Sequence, residues 1–186
     1  MAIYIALLRG INVGGHRKIK MAELKQALEA IGLSRVQTYI QSGNVLFEST
    51  EEEGPLRKRI EQGIEDAFGF PVDVVLRTSA ELRRTAASYP FSPEEIAEAE
   101  ASSQAESLYV AFLPEEPSPE ARERLERACE GGDRFHIDGR EIYLLFRNSV
   151  RNSKLSGSLQ RLGTSATVRN GKTVGKLVAL ADAMEA

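Results

Sequence analysis

The chain has 186 residues, of which 42% are apolar, 27% are charged and 6% are aromatic, and its formal net charge is −3. This composition excludes a disordered chain, a collagen-like chain and a disulfide scaffold. The sequence lacks both the apolar run of about 18 residues that a transmembrane helix needs and the basic start of a signal peptide. With one cysteine and two histidines, we expect a cytoplasmic protein with no disulfide, metal, cofactor or membrane partner.

The mild net charge hides an uneven distribution of charged residues along the chain. Residues 1–22 and 142–181 together carry eleven lysines and arginines and no acidic residue, whereas residues 23–141 carry 13 bases and 25 acids. Such an asymmetry can place a positive surface on a chain that is acidic overall. Solvated helix faces would give the same pattern without any function, and both interpretations stay open at this point.

The first half of the chain has the order of strands and helices that is typical of a ferredoxin-like fold. The apolar run 3–8 predicts a strand buried on both faces, and the spacing of apolar residues over 24–31 predicts a helix that ends near Gly32. A hairpin with its turn at residues 42–44 follows, and then a helix that ends at Gly69, a strand and a short helix. The order is therefore β-α-β-β-α-β with one helix added.

The same order starts again after a linker that we predict at residues 91–106. The run 109–113 resembles the run 4–8, Ser-Pro at 118–119 is typical of a helix start, and Asp-Gly at 138–139 is typical of a hairpin turn. A helix, a short strand and a final helix complete the second half.

We therefore predict an α+β fold made of two ferredoxin-like halves. Each half is expected to contain a four-stranded antiparallel sheet and to be followed by an extra helix. The predicted boundaries are 1–90 for the first half, 91–106 for the linker and 107–186 for the second half.

A glycine-rich loop between the first strand and the first helix is the first candidate site. Its glycines permit positive φ angles and a close approach of the backbone to a ligand, and its N–H groups precede a helix N-terminus, as in many anion sites. His16 and Arg17 stand where a phosphate-binding loop needs Lys and Ser or Thr, which excludes a Walker-type NTPase. A plain strand-to-helix connection is the alternative. The candidate ligand-binding residues in this loop are Arg9, Asn12, Gly14, Gly15 and Lys18.

The second candidate is the turn of the first hairpin, with Gln41, Ser42 and Asn44. Taken alone it is a good turn sequence. In a ferredoxin-like sheet, however, the first and second strands run in the same direction, so this turn and the glycine-rich loop should lie at the same sheet edge. Amides, a hydroxyl and basic side chains would then converge at one place. The equivalent loop of the second half, residues 114–118, is acidic and rich in proline.

The segment before the last helix is the third candidate. Arg169 and Lys172, together with the free N–H groups of a helix start, could hold an anion. Alternatively, Asn170 or Thr173 simply caps the helix. No arrangement of Ser, His, Asp or Cys in the chain specifies a catalytic triad or nucleophile, so the catalytic residues stay unknown.

The motifs at residues 8–15, 19–21 and 38–44 resemble those of the bacterial family catalogued as domain of unknown function 1697. The resemblance extends with weaker motifs over nearly the whole chain. It implies an α+β fold with ferredoxin-like elements in a cytosolic bacterial protein, and it implies no activity or catalytic residue. The sequence departs from the family pattern at His16, where Lys or Asn is usual, and at Gly171, where an aromatic residue is common.

Three functional hypotheses follow from these features. The leading hypothesis is a protein that binds, and could also turn over, a phosphorylated or otherwise anionic small molecule at the glycine-rich loop and the Ser-Gly-Asn turn. The second is a nucleic-acid-binding module, which the basic stretches favour although the aromatic signature of an RNA recognition motif is missing. The third is a scaffold whose basic face contacts an acidic partner. Oligomeric state and the identity of the ligand are not specified by the sequence.

Overall fold

A computed structural model describes residues 1–102, 106–147, 150 and 153–186 of the chain. The chain divides into two compact units. The first contains Met1–Arg84 and Gly175–Ala186, and the second contains Thr85–Val174. No helix in the part of the chain described here is both long and apolar enough to cross a membrane.

The first unit contains the predicted βαββαβ elements and an added helix. Its elements in chain order are β1 (Ala2–Leu8), α1 (Met21–Ala30), β2 (Ser34–Tyr39), β3 (Asn44–Ser49), α2 (Glu53–Phe68), β4 (Val74–Thr78) and the larger part of α3 (Ser79–Ala87), whose residues from Thr85 onward belong to the second unit. The strands form one antiparallel sheet in the order β2-β3-β1-β4. This is the ferredoxin-like strand order, so the prediction for the first half is confirmed.

The core of the first unit lies between the sheet and the helices α1 and α2. Strand β1 is buried over Ile3–Leu8, as the continuous apolar run predicts. Helix α2 contributes Leu56, Ile60 and Ile64, which are fully buried and follow helical spacing. Burying each of these side chains is worth about 1.5–3 kcal/mol. The helix ends at Gly69, whose φ of 82° is left-handed and suits a residue without a Cβ.

The second unit repeats this arrangement. Its elements are α4 (Pro93–Ala101), β5 (Leu108–Phe112), α5 (Pro119–Ala128), β6 (Arg134–Asp138), β7 (Glu141–Leu145), α6 (Lys154–Leu159), β8 (Thr167–Asn170) and the start of α7 (Gly171–Glu185). The strands form an antiparallel sheet in the order β6-β7-β5-β8. Because β5 to β8 occupy the places of β1 to β4, the predicted two-half α+β architecture is confirmed.

The two sheets agree in register as well as in strand order. Arg77 of β4 is paired with Ile5, and Arg169 of β8 is paired with Val110, which is the equivalent position of the second half. Both arginines are buried, and in both the Nη1 atom donates to the carbonyl oxygen of the preceding residue, at 2.8 Å and 3.0 Å. The short similarity of residues 4–8 to residues 109–113 therefore marks a true structural equivalence.

The two units meet in sequence between Arg84 and Thr85 and again between Val174 and Gly175. The segment 91–106 contains helix α4, and the predicted domain ranges stay a prediction. Helix α4 begins at a Ser-Pro pair, where the Ser92 hydroxyl accepts from the Glu95 N–H in a capping box. Ala99 of this helix is fully buried. Residues 103–105, which also belong to the predicted linker, lie outside the described residues.

The last helix contributes to both units, because the residues of α7 from Gly175 onward belong to the first unit. Arg83 Nε donates to Asp182 Oδ1 at 2.6 Å, Ser79 and Arg83 both bind the Glu185 carboxylate, and Arg35 donates to the Met184 carbonyl at 2.7 Å. The end of the chain is thus held to the first unit by four polar contacts.

Candidate functional site

The glycine-rich loop and the β2-β3 turn lie together at one edge of the first sheet, as the direction of the strands predicts. The Leu8 N–H at the end of β1 donates to the Gly43 carbonyl oxygen at 2.9 Å. The second unit contains the equivalent bond, from the Leu113 N–H to the Arg140 carbonyl at 2.9 Å. The contact between strand end and turn is therefore a property of the fold, whereas the glycine-rich loop and the Ser-Gly-Asn turn belong to the first unit.

Gly43 packs closely against the end of β1 and the glycine-rich loop. A Cβ atom placed on it would lie 2.7 Å from Ile11 Cδ1 and 2.9 Å from Leu8 Cβ, and its φ is 89°. The lack of room for a Cβ atom and the left-handed backbone both exclude any other residue here unless the loop moves. The glycine of the Ser-Gly-Asn turn thus serves the packing of the turn against the loop.

The side chain of Asn12 fastens the loop to the turn with three hydrogen bonds. Its Nδ2 donates to the Gln41 carbonyl at 2.8 Å and to the Ile19 carbonyl at 3.0 Å, while its Oδ1 accepts from the Ile19 N–H at 2.8 Å. The amide group is therefore fully used inside the protein. Asn12 has a φ of 56°, a conformation that asparagine tolerates better than most residues.

The two adjacent glycines form the tip of the loop. The His16 N–H donates to the Val13 carbonyl at 3.1 Å across Gly14 and Gly15, whose φ values are 60° and 76°. Two central residues with positive φ are typical of a type I′ turn. One residue further out, the Asn12 N–H donates to the Arg17 carbonyl at 3.1 Å. The loop is therefore a small hairpin-like projection and not an open strand.

Asn44 and Ser42 form the inner side of the turn. Asn44 is fully buried, and its Nδ2 donates to the Tyr39 carbonyl and to the Ser42 hydroxyl oxygen, both at 2.9 Å. Both donor positions of this amide are occupied. Asn44 consequently fixes the shape of the turn from beneath, and Ser42 lies half-buried above it.

Ile40, at the start of the same turn, has a strained backbone. Its φ is 48°, which is rare for a β-branched residue, and its side chain is 47% exposed. Neither burial nor secondary structure accounts for an isoleucine here. Strained residues of this kind cluster at binding and catalytic sites, where the surrounding structure holds them.

A cleft of about 560 Å³ lies between the loop and the start of α1. This volume falls in the usual range of small-molecule sites, roughly 300–1,000 Å³. The lining residues are Asn12, Gly15, Lys18, Ile19, Lys20, Met21, Glu23 and Gln41. Four of them belong to the predicted site, whereas Arg9, Gly14, Ser42 and Asn44 are near the cleft in sequence but do not line it.

The charge of the cleft is positive on balance. Lys18 and Lys20 line it, and within the described ranges no carboxylate forms an ion pair with either. Glu23, in the first turn of α1, is the acidic residue of the lining. Arg9 forms an ion pair with Asp73, and its Nη1 lies 3.7 Å from Asp73 Oδ2.

The third predicted segment lies in the second unit and is occupied by internal contacts. Asn170 Oδ1 accepts from the Thr173 N–H at 2.8 Å, so this asparagine caps the helix, as the alternative interpretation predicted. Lys172 Nζ lies 2.8 Å from Glu106 Oε1. Arg169 is buried, and burial lowers its pKa to about 10.

A family model described as protein of unknown function (DUF1697) matches residues 1–143, which include the loop, the turn and the cleft. The chain belongs to this family. The suspected family resemblance is therefore confirmed. A comparison with curated proteins gives no match.

Among solved structures, the chain of this family member is similar to the conserved bacterial protein SP0830 from Streptococcus pneumoniae. The two share 24% sequence identity with a TM-score of 0.74, over 97% of this chain and 98% of the other. At this level of identity the likeness concerns the fold. It supports the two-half α+β architecture and carries no information on a ligand.

Sequence reasoning missed part of the cleft and the constraint on Gly43. Lys20 and Met21 belong to the motif 19–21 and Glu23 follows it, so continuing the candidate site beyond Lys18 into the first helical turn would have included them. The strain at Ile40 has no signal in the sequence, because isoleucine is an ordinary strand residue. The three-bond role of Asn12 likewise depends on contacts with residues 7 and 29 positions away.

Proposed function

We propose that the first unit binds a small phosphorylated or otherwise anionic molecule in the cleft between the glycine-rich loop and α1. The observation that carries this proposal is the position of Lys18 and Lys20, two lysines without a carboxylate partner in the described structure, on a cleft that ends at a helix start. The residues predicted in the loop and the turn divide into those that contact the ligand and those that position the loop.

The start of α1 supports an anion at this place. The N-cap residue Lys20 makes no side-chain capping bond, and the first N–H groups of a helix have no partner within the helix. These donors, the partial positive charge of the helix N-terminus and the two lysine ammonium groups all favour the same kind of ligand. Lys20, Met21 and Glu23, which line the cleft, bring this helix end to it.

The remaining predicted residues have different roles in the proposal. Lys18 and the backbone of Gly15 contact the ligand, and Gln41 closes the opposite side. Asn12 and Asn44 are positioning residues, since their amides are occupied by protein groups. Gly14 completes the loop tip, Ser42 supports Asn44, and Arg9 adds charge at the loop base. Arg169 and Lys172 of the second unit are not needed for this cleft.

The test is a titration of the whole chain with inorganic pyrophosphate and with nucleotides, followed by thermal shift and calorimetry. Lys18→Ala and Lys20→Ala should each weaken binding about tenfold, the size of one charge-assisted hydrogen bond. Lys58→Ala is the matched control, because Lys58 is an exposed lysine on α2 away from the cleft. Equal binding by all three variants, or no saturation with the unaltered chain, would refute the proposal.

The same titrations separate the two alternatives. A nucleic-acid-binding module would bind an oligonucleotide with a steep dependence on salt and would ignore pyrophosphate. The described aromatic side chains are all at least half-buried, which leaves no exposed stacking surface on these residues. A scaffold would bind neither probe.

A further inference from the structure

A second cavity lies in the second unit, against the helices α5 and α6. Its volume is about 620 Å³, again within the range of small-molecule sites. The lining residues are Arg124, Arg127, Ala128, Ser153, Lys154, Gly157, Ser158 and Arg161. Four of these eight residues carry a positive charge and none is acidic.

The cations come from three separate places in the chain. Arg124 and Arg127 lie on consecutive turns of α5, Lys154 is the first residue of α6, and Arg161 follows its end. Arg124 reaches across to the other helix, where its Nη1 donates to the Arg161 carbonyl at 2.9 Å. This bond uses one of the five N–H groups of a guanidinium and holds the planar group beside the cavity.

Two of the four cations have a carboxylate partner and two do not. Arg127 lies 3.6 Å from Glu123, and Lys154 lies 2.9 Å from Glu130, in pairs whose side chains are all more than half exposed. Such exposed pairs contribute little to stability and are screened by salt, so they do not commit these two cations to their carboxylate partners. Within the ranges that the structure describes, Arg124 and Arg161 pair with no carboxylate.

We infer that this cavity is a second anion site, which binds a compact oxyanion such as a di- or triphosphate group. The guanidinium groups of Arg124 and Arg161 are the principal contacts, because planar N–H forks match phosphate oxygens in two-point contact. Ser158 also lines the cavity, whereas the Ser153 hydroxyl already donates to Asp133 Oδ2 at 2.7 Å. The inference is independent of the proposed function, which concerns the first unit.

The competing explanation is that these arginines serve the helices alone. Arg127 lies in the last turn of α5 and Arg161 lies after α6, where positive charge stabilises the partial negative charge of a helix end. In that case Arg124 would act only through its bond to the Arg161 carbonyl. This explanation predicts a change in stability upon substitution and no change in the binding of an anion.

The experiment is calorimetry with inorganic pyrophosphate and tripolyphosphate in a chain that carries Lys18→Ala and Lys20→Ala, so that the first cleft does not contribute. Saturable binding is expected in this background, and Arg124→Ala and Arg161→Ala should each weaken it at least about tenfold. Arg161→Ala keeps the backbone carbonyl that Arg124 uses. Arg122→Ala is the matched control, since Arg122 is an exposed arginine of the same helix that does not line the cavity.

Each other outcome overturns the inference. Binding that is absent in the Lys18→Ala, Lys20→Ala background, or that Arg122→Ala reduces as much as Arg124→Ala, means that no such site exists. An oligonucleotide that binds where tripolyphosphate does not would indicate a different class of partner. Circular dichroism of every variant is the control for folding. Arg124→Lys keeps the positive charge but loses the planar fork of N–H groups, so it should also weaken binding.

Discussion

Asn12 in the glycine-rich loop and Gln41 in the β2-β3 turn are joined by a 2.8 Å hydrogen bond from the Asn12 amide to the Gln41 carbonyl. This bond connects two segments that are 29 residues apart, and the other two bonds of Asn12 go to Ile19 at the far end of the loop. One side chain thus controls the position of both the loop and the turn.

We expect Asn12→Asp to destabilise the first unit strongly although it preserves the size of the side chain. The carboxylate keeps the acceptor for the Ile19 N–H but turns both donor bonds, to the carbonyls of Ile19 and Gln41, into contacts between acceptors. The expected loss is about 2–4 kcal/mol at neutral pH. Urea denaturation measures it. Protonation of the new carboxyl restores one donor, so the loss should shrink at acidic pH, and a loss independent of pH would contradict this role.

Gly43→Ala should destabilise the protein by about 2–4 kcal/mol, since overpacking and a left-handed backbone both oppose a Cβ there. Gly10→Ala is the control, because Gly10 also has a positive φ, of 70°, but nothing lies within 4 Å of its Cβ position. It should therefore lose only about 1 kcal/mol. Ile11→Val removes the methyl group that meets the new Cβ at 2.7 Å, and it should partly rescue Gly43→Ala. Equal losses for the two glycines would show that the contact is unimportant.

Ile40→Asn should stabilise the folded chain by about 1 kcal/mol, because asparagine adopts a φ near 48° with less strain than isoleucine. The comparison is Val13→Asn, which replaces another exposed apolar side chain at an ordinary φ and should be nearly neutral. Chemical denaturation of both variants gives the two values. If Ile40→Asn is the less stable of the pair, the strain at residue 40 is offset by contacts of its side chain.

Glu23→Gln should strengthen the binding of pyrophosphate in the first cleft by about threefold, the effect of removing a like charge about 6 Å away in water. The same change should slightly destabilise the chain, by about 0.3–1 kcal/mol, since an acidic residue in the first turn favours the helix. Calorimetry and denaturation follow the two effects separately. Glu29→Gln, at the other end of α1, should leave the affinity unchanged.

Tyr89 and Tyr143 make the second unit sensitive to alkaline pH. Burial raises the pKa of each to about 12, and their rings lie edge to face with centroids 5.5 Å apart. A folded pKa above the ordinary value of about 10 means that the stability is intact below pH 10 and is lost as the pH rises toward 12. Tyr89→Phe and Tyr143→Phe should each make this alkaline loss smaller in denaturation curves.

The two tyrosine variants should differ at neutral pH. Tyr143 donates to the Thr85 carbonyl at 3.2 Å, so Tyr143→Phe should cost about 1 kcal/mol. The Tyr89 hydroxyl is buried and, in the described structure, has no hydrogen-bond partner, so Tyr89→Phe should be neutral or stabilising. Similar losses for both would mean that the Tyr89 hydroxyl is bonded in solution.

The fold was predictable because local patterns and topology agree in this sequence. The apolar run of β1, the helical spacing in α2 and the glycine after α2 specify their elements without tertiary information. The juxtaposition of loop and turn followed from the direction of the strands, and Asn12 and Gln41 are indeed in contact. The register of Arg77 and Arg169 was not predictable, since charged residues in a buried strand give no periodic signal.

The convergence of the glycine-rich loop and the β2-β3 turn was predictable, but the role of each side chain was not. A sequence shows that Asn12 and Asn44 are polar, but only the contacts show that their amides are used by the protein itself. The cavity of the second unit was missed because Arg124 and Arg161 are 37 residues apart and belong to no motif. Their convergence depends on how α5 and α6 pack.

The membership of the last residues of α7 in the first unit has a consequence for the order of folding. Ser79, Arg83 and Arg35 each bind a group within residues 182–185, which a ribosome makes 99 to 149 residues later. The second unit is continuous in sequence and can therefore complete its sheet during synthesis. The first unit combines residues from both sides of the second, so its loop and cleft rest on a finished unit only after residues 175–186 have been made and have bound.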